Sequence, residues 1–194
     1  GNTSTCVETI HVVDNQPPTM QNCASGLTLT IGQYSCGSNP NWTAPQATDN
    51  CGVVSMTQSS GPSPTAILAV GSYTVVYTAL DAAGNSATCS FIINVINSTA
   101  PVVVCPNNIT NQSTNANNCV WTSGTQVNPI QAMGNCISLT WSITNPGGSI
   151  NTGSNNIAGY NFQKGTSTIH YTVTDNINVT ATCASQVTVV DNTL

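Results

Sequence analysis

Nine cysteines are the residues of this 194-residue chain with the most chemistry open to them. Cys6, Cys23, Cys36, Cys51, Cys89, Cys105, Cys119, Cys136 and Cys183 include no CxxC pair and no Cys/His cluster. Structural zinc needs such close pairs, so the spacing points to disulfides instead, and disulfides persist outside the cytosol. His11 and His170 fall in stretches with strand patterns. Nothing in their spacing sets a base beside an activated Ser or Cys with a third group to orient it. Glu8, Asp14, Asp49, Asp81, Asp175 and Asp191 are too few and too scattered for the paired carboxylates of a glycosidase. Asp14 with Asn15 offers part of a calcium shell, but calcium takes six or more oxygens, and the corresponding later position is Asn97. Asp49, Asp81 and Asp175 read as turn caps. The expectation is therefore a protein with no catalytic set, no metal and no cofactor.

Charge narrows the partners. Lys164 is the single Lys or Arg, and the formal net charge is −5. Nucleic-acid binding needs basic residues to displace counterions, and attraction to anionic membranes needs them too, so both classes drop out. No run of 18 apolar residues exists to insert into a membrane. No signal peptide is present; a secretory leader would lie upstream. The surface must be made of Asn, Thr, Ser and Gln, suited either to carrying glycans or to packing against copies of itself. Asn2, Asn41, Asn97, Asn108, Asn111 and Asn178 each open an Asn-x-Ser/Thr sequon, with Asn108 and Asn111 the best placed. Tyr73, Tyr77, Tyr171, Trp42, Trp121 and Trp141 could form a sugar-stacking platform, but aromatics alternating along strands are expected in the core.

The elements that position these residues are strands. Residues 74–95 alternate: Val75, Tyr77 and Ala79, then a turn at Asp81-Ala82-Ala83-Gly84-Asn85, then Cys89, Phe91, Ile93 and Val95. The pattern recurs over 168–189 with Ile169, Tyr171, Val173, Asp175, Cys183, Val187 and Val189. Its second half also appears at the start, with Cys6, Ile10 and Val12 on one face. Pro17 and Pro18 mark one linker and Pro101 another. The chain thus divides into a closing strand (1–14), a first repeat (15–97) and a second repeat (98–194). Leu27, Leu29 and Ile31 mark a strand, and Cys36 and Trp42 the next. The second repeat is longer between Cys136 and Gly165, with the extra residues expected as a surface loop within 146–160. No segment shows a period of 3.6. About seven short strands per repeat predict an all-β fold of tandem immunoglobulin-like β-sandwiches. Four cysteines per repeat allow three pairings. The reading chosen is Cys23–Cys36 with Cys51–Cys89, and Cys105–Cys119 with Cys136–Cys183.

Asp49-Asn50-Cys51-Gly52, Val70-Gly71, Tyr73 to Asp81, Gly84-Asn85 and Ala87-Thr88-Cys89-Ser90-Phe91, with Val95 before a proline-bearing linker, closely resemble the hyalin repeat, the HYR domain. Cys105-Pro106 fits as well. The second repeat departs at Gly134-Asn135-Cys136 and at Asp175-Asn176-Ile177-Asn178. The resemblance implies extracellular, immunoglobulin-like modules used in tandem in adhesion and matrix proteins. It also implies that residues 4–15 complete a sandwich outside this stretch, with Cys6 bonded to a neighbouring repeat or chain. The expected role is structural, as part of an extracellular filament, stalk or cell-surface adhesin whose partners are copies of the same repeat. A glycan- or surface-binding module using residues 146–160, and a non-catalytic appendage of a secreted enzyme, are the alternatives.

Overall fold

The computed structural model describes residues 1–114 and 119–191. Two compact units result, Gly1–Leu29 with Asn39–Asn94, and Thr30–Ser38 with Val95–Leu194. Residues 19–96 supply β1 (Thr19–Gln21), β2 (Leu27–Thr30), β3 (Gln46–Thr48), β4 (Val53–Ser60), β5 (Gly71–Asp81) and β6 (Ser86–Ile96). A four-stranded sheet runs β2-β6-β5-β4, and β1 pairs with β3. β5 and β6 are the hairpin read from residues 74–95. Val75, Tyr77, Ala79 and Asp81 are buried on β5, and Cys89, Phe91, Ile93 and Val95 on β6, while their alternates are more exposed. This is the period-two pattern of a half-buried sheet. Trp42 sits edge-on to Phe91 at 5.7 Å between centroids, and its indole N–H donates to Tyr77 Oη at 3.0 Å. Both polar aromatics belong to the core, each with its hydrogen bond made.

The second unit carries β7 (Val102–Val104), β8 (Ile109–Ser113), β9 (Val120–Thr122), a 3-10 turn (Thr125–Val127), β10 (Gln131–Met133) and β11 (Ser138–Thr144). β12 (Ile150–Ser154), β13 (Asn161–Gln163), β14 (Gly165–Thr174) and β15 (Thr180–Val190) complete it. The main sheet runs β12-β11-β14-β15-β8, with β8 parallel to β15; β10 pairs with β7, and β13 with β9. Ile143, Ile169, Tyr171, Val187 and Val189 bury one face of the sheet against Val127, Ile157 and Phe162. Tyr171 Oη donates to the Val127 carbonyl. The architecture is all-β, with immunoglobulin-like sandwiched sheets, as the alternation predicts.

Three elements differ from expectation. Residues 1–13 form no strand, and Val7, Ile10 and Val12 stand exposed. An extended segment needs a neighbour to pair its N–H and C=O groups, and no described strand lies against it. The stretch from Cys36 to Trp42 leaves the sheet; Tyr34 at φ 64° and Asn41 at φ 42° break the extended run. Residues 146–160 are not merely a loop, because β12 adds an edge strand there, antiparallel to β11. Gly153 faces Trp141 across that pair, and a Cβ at 153 would collide with the indole. Glycine is therefore what lets the ring lie over the edge strand.

Candidate functional site

The cysteines pair differently from the sequence reading. Cys23 bonds Cys89, Cys105 bonds Cys183, and Cys36 bonds Cys136, leaving Cys6, Cys51 and Cys119 as exposed free thiols. The expected pairs Cys23–Cys36, Cys51–Cys89, Cys105–Cys119 and Cys136–Cys183 are corrected. Sheet order is the reason. Cys51 enters β4, and β4 is separated from β6, which carries Cys89, by β5. At about 4.8 Å per strand that places them about 10 Å apart, beyond the roughly 7 Å limit for a bridge. Cys23 precedes β2, the direct neighbour of β6, and its Cα lies 5.9 Å from that of Cys89. The second unit repeats the logic. Cys136 enters β11, two strands from β15, whereas Cys105 precedes β8, which adjoins β15 and brings the Cα atoms to 5.7 Å.

Acidic residues gather where the sequence reading saw separate turn caps. Side-chain oxygens of Asp14, Asp49 and Asp81 lie within 4.8 Å of one another. Each acid does cap its own turn: Asp14 Oδ1 accepts from Gln16 N–H at 3.0 Å, Asp49 Oδ1 from Cys51 N–H at 2.8 Å, and Asp81 Oδ1 from Asn85 N–H at 2.8 Å. The Asn85 amide then ties two of them, donating to Asp81 Oδ2 at 2.8 Å and to the Asp14 carbonyl at 3.2 Å. Asp14 Oδ2 is buried and meets no nitrogen or hydroxyl donor; its neighbour is the weakly donating Cys51 thiol. Desolvation, the Asp14 bond and the charges of Asp14, Asp49 and Asp81 together push that thiol up. Burial opposes ionisation of Asp81, but the Asn85 hydrogen bonds outweigh it and hold its carboxyl below the usual carboxylate range. The chain's one basic side chain, Lys164, instead faces Asp191 at 3.6 Å. Three carboxylates with oxygen-only donors are the chemistry of a hard cation such as calcium, and Asp14, Asp49 and Asp81 are the residues that could hold one.

The second repeat builds the same knot from amides. Asn97 stands where the first linker has Asp14, and Gly134 where the first repeat has Asp49. Asn97 Nδ2 donates to Asp175 Oδ2 at 3.0 Å and to Asn176 Oδ1 at 3.1 Å. Its own Oδ1 accepts from Asn135 Nδ2 at 2.8 Å and from Thr99 N–H at 3.0 Å. Asp175 Oδ1 takes Ile177 N–H at 3.0 Å and Val179 N–H at 2.9 Å. Asn135 is fully buried in the knot. Local spacing gives no sign of this convergence; the trace in the sequence is that Asp14 and Asp49 are both replaced, by Asn97 and Gly134, which does not say that the acids meet.

The remaining candidates stay apart. His11 is exposed in the N-terminal segment, and His170 is exposed on β14 opposite Ser142 and Ala184. Among the sequons, Asn2, Asn41, Asn108, Asn111 and Asn178 are exposed, but Asn108 Oδ1 accepts from Gln186 N–H at 2.9 Å. Asn97 is half-buried, and its amide nitrogen is committed to the knot. Trp121 and Tyr160 pack on Phe162, at 5.9 and 4.8 Å between centroids, and Trp141 packs on Tyr160. Tyr73 is half-buried with its hydroxyl donating to the Ala69 carbonyl at 3.0 Å, while Trp42, Tyr77, Tyr171, Trp121 and Trp141 lie in or pack against the cores.

Among the described residues no helix is long and apolar enough to cross a membrane. The three disulfides place the chain in an oxidising, extracellular setting. Similarity to two sea-urchin proteins agrees. The chain is 37% identical over 110 residues to hyalin of Strongylocentrotus purpuratus, covering 55% of this chain and 9% of that one. It is 32% identical over 114 residues to hyalin of Lytechinus variegatus, covering 56% and 21%. The chain thus spans under a quarter of the length of either relative. Similar solved structures include extracellular cadherin domains 3–6 of protocadherin gamma B2, with 13% identity, coverage of 94% and 54%, and TM-score 0.35. The fibronectin(III)-like modules of Clostridium thermocellum CbhA match with 13% identity, coverage of 90% and 94%, and TM-score 0.32. Residues 13–95, the stretch that holds the acidic knot and the Cys23–Cys89 bridge, match the family model of the HYR domain.

Proposed function

We propose that this chain is a structural segment of an extracellular filament, stalk or cell-surface adhesin, built from two tandem HYR copies (15–97 and 98–194) and the closing strand of another (1–14). The coarser reading, an extracellular adhesion-related module, rests on the HYR match at residues 13–95 and on the hyalin relatives. The observation that carries the finer one is internal repetition. β5–β6 and β14–β15 are equivalent hairpins, and each is tied to the strand beside it by an equivalent bridge, Cys23–Cys89 and Cys105–Cys183. The partners on this reading are neighbouring copies of the same repeat, and no catalytic role is proposed. A surface almost free of positive charge and rich in hydroxyls and amides lets copies pack without repulsion. Electron microscopy of native material tests the reading: fibres or stalks are expected, and isolated small particles would overturn it.

A glycan-binding role is the second reading. It is favoured by a cleft of about 570 Å³ in the first unit, lined by Thr28, Thr74, Ser90, Asn94, Leu27 and Phe91, uncharged groups of the kind that orient a sugar. Binding on a glycan array supports it, and silence across the array removes it. Asn41, Asn108, Asn111 and Asn178 are proposed as glycan acceptors in their own right. An intact mass of native material at the bare 20.0 kDa for these residues excludes that.

A further inference from the structure

The strand register makes the cysteines of the two repeats equivalent in pairs. Cys23 corresponds to Cys105, Cys36 to Cys119, Cys51 to Cys136 and Cys89 to Cys183. The first and fourth positions bond each other within each repeat. The second and third positions do something else. Cys36, in the second position of the first repeat, bonds Cys136, in the third position of the repeat that follows. Its segment, Thr30–Ser38, is built into the compact unit of that following repeat, where Tyr34 Oη also meets Met133 Sδ. The first repeat, in other words, lends its second cysteine forward.

Two thiols are left over from this rule, and they are complementary. Cys119 is a second-position cysteine with no following third-position partner in this stretch, and Cys51 is a third-position cysteine with no preceding second-position partner. Both are exposed and unbonded. The only other free thiol, Cys6, is of the fourth-position type, whose partner is always a first-position cysteine of its own repeat. So the leftover thiols are not three interchangeable reactive groups: two match each other, and the third has a different kind of partner.

We propose that Cys119 and Cys51 are the two halves of an inter-repeat disulfide, Cys119 bonding the Cys51 position of a following copy and Cys51 the Cys119 or Cys36 position of a preceding one. This deepens the filament reading and rests on it. The partner is a neighbouring copy of this repeat, on the same polypeptide or on another. The equivalents of these two positions, Cys36 and Cys136, are already bonded. The chemistry is two-step thiol–disulfide exchange. A thiolate at one cysteine attacks the disulfide of an oxidised thiol oxidant, such as oxidised glutathione, and expels one of its thiolates. The second cysteine then attacks the mixed disulfide and expels the other. The two protons lost by the protein thiols end on the two released oxidant thiols, so the oxidant gains the two electrons that the staple gives up.

The test uses this chain with Cys6→Ser, which removes the thiol of the other kind, in a glutathione redox buffer. Cys51→Ser retains the free thiol at 119, and Cys119→Ser retains the one at 51; both replaced side chains are exposed, and circular dichroism checks that each variant is folded. Each variant alone should stay monomeric, and an equimolar mixture should give a 1:1 disulfide dimer, with the unsubstituted pair giving ladders of multimers on a non-reducing gel. Non-reducing peptide mapping of the mixture should recover Cys119 joined to Cys51. Dimers of either variant alone in the same yield as the mixture, or a Cys51–Cys119 bond within one chain, would overturn the proposal. Peptide mapping of native material gives an independent reading. Fibres in which Cys51 and Cys119 are free thiols sink this inference and leave the filament reading standing, whereas absence of fibres sinks the filament reading itself. Staples between chains lower the mass of undigested material on reduction, whereas staples within one continuous polypeptide leave it unchanged.

Discussion

The acidic and amide knots occupy equivalent corners of the two repeats and solve the same backbone problem with opposite electrostatics. In both, a linker residue, a turn before the strand beside the central hairpin and the end of a central strand meet. The amide version is the more fully paired: Asn97 donates from one side of its amide and accepts on the other, linking Asp175, Asn176 and Asn135, with Asn135 Oδ1 left without a partner. An amide carries both donor and acceptor, so it can complete a network that carboxylates alone cannot. The acidic version brings Asp14, Asp49 and Asp81 within 4.8 Å and has the Asn85 amide as its main donor. Carboxylates are acceptors only, and like charges at this range repel, more strongly where water is excluded. The difference teaches that the turn geometry is set by backbone caps, whereas response to solution conditions is set by which side chains meet across them.

The largest effect should come from breaking what the two repeats share. Cys23→Ser and Cys105→Ser remove equivalent bridges, and each should cost about 2–5 kcal/mol, read as a lowered denaturation midpoint. If one substitution were silent, the two bridges would not be equivalent. Next comes exchange of the knots. Asn97→Asp puts a carboxylate where an amide nitrogen now lies 3.0 Å from Asp175 Oδ2. It should lose about 1–3 kcal/mol, partly restored by added calcium or salt, which screens the repulsion. The reverse change, Asp14→Asn, should abolish the salt and calcium response of the melting temperature in the first repeat while shifting stability by about 1 kcal/mol or less. An unchanged calcium response in that variant would show that Asp14 does not share the charge.

Acid sharpens the comparison further. Because the folded pKa of Asp81 is depressed, its contribution is present above the unfolded carboxylate value of about 3.9. It is lost as pH falls through the folded value, since the unfolded state then binds the extra proton. Asn85→Ala removes the side-chain bond to Asp81 Oδ2 and leaves the backbone N–H bonds, so the acid limb of a stability–pH curve should become shallower below about pH 4 without vanishing. The smallest effect concerns cleavage. The first repeat has no Lys or Arg, and the second has Lys164, between β13 and β14. Trypsin should leave the native protein whole and split it in two after denaturation and reduction of the Cys105–Cys183 bridge that spans Lys164. Rapid cutting of native material would show that the junction of β13 and β14 opens locally.

Much of this was legible in the residues themselves. Alternation of Val75, Tyr77 and Ala79 with more polar neighbours decides a half-buried strand, because side chains of an extended chain point to opposite faces in turn. Asp81 and Asp175 decide their turns, because a carboxylate reaches its own backbone a few residues ahead. Repetition of those short-range patterns was enough to give the all-β fold class. Residues 1–13 and 146–160 mark the edge of that legibility. The first has a strand's pattern without a neighbour to pair with. The second has loop composition, yet β11 offers it an open edge and Gly153 leaves room for Trp141.

What tertiary structure alone decided is who meets whom. Cys51 and Cys89 have suitable types and spacing for a bridge, and sheet order keeps them apart, since β5 lies between their strands. Asp14, Asp49 and Asp81 are far apart in sequence and converge only because the linker folds against the ends of two strands that are themselves neighbours. Local pattern is written in the short-range geometry of the backbone, so a sequence carries it directly. Strand order and corner contacts depend on which hydrophobic faces bury each other, a property of the whole packed unit, and that is why the pairing of the cysteines and the convergence of the acids emerged only from the fold.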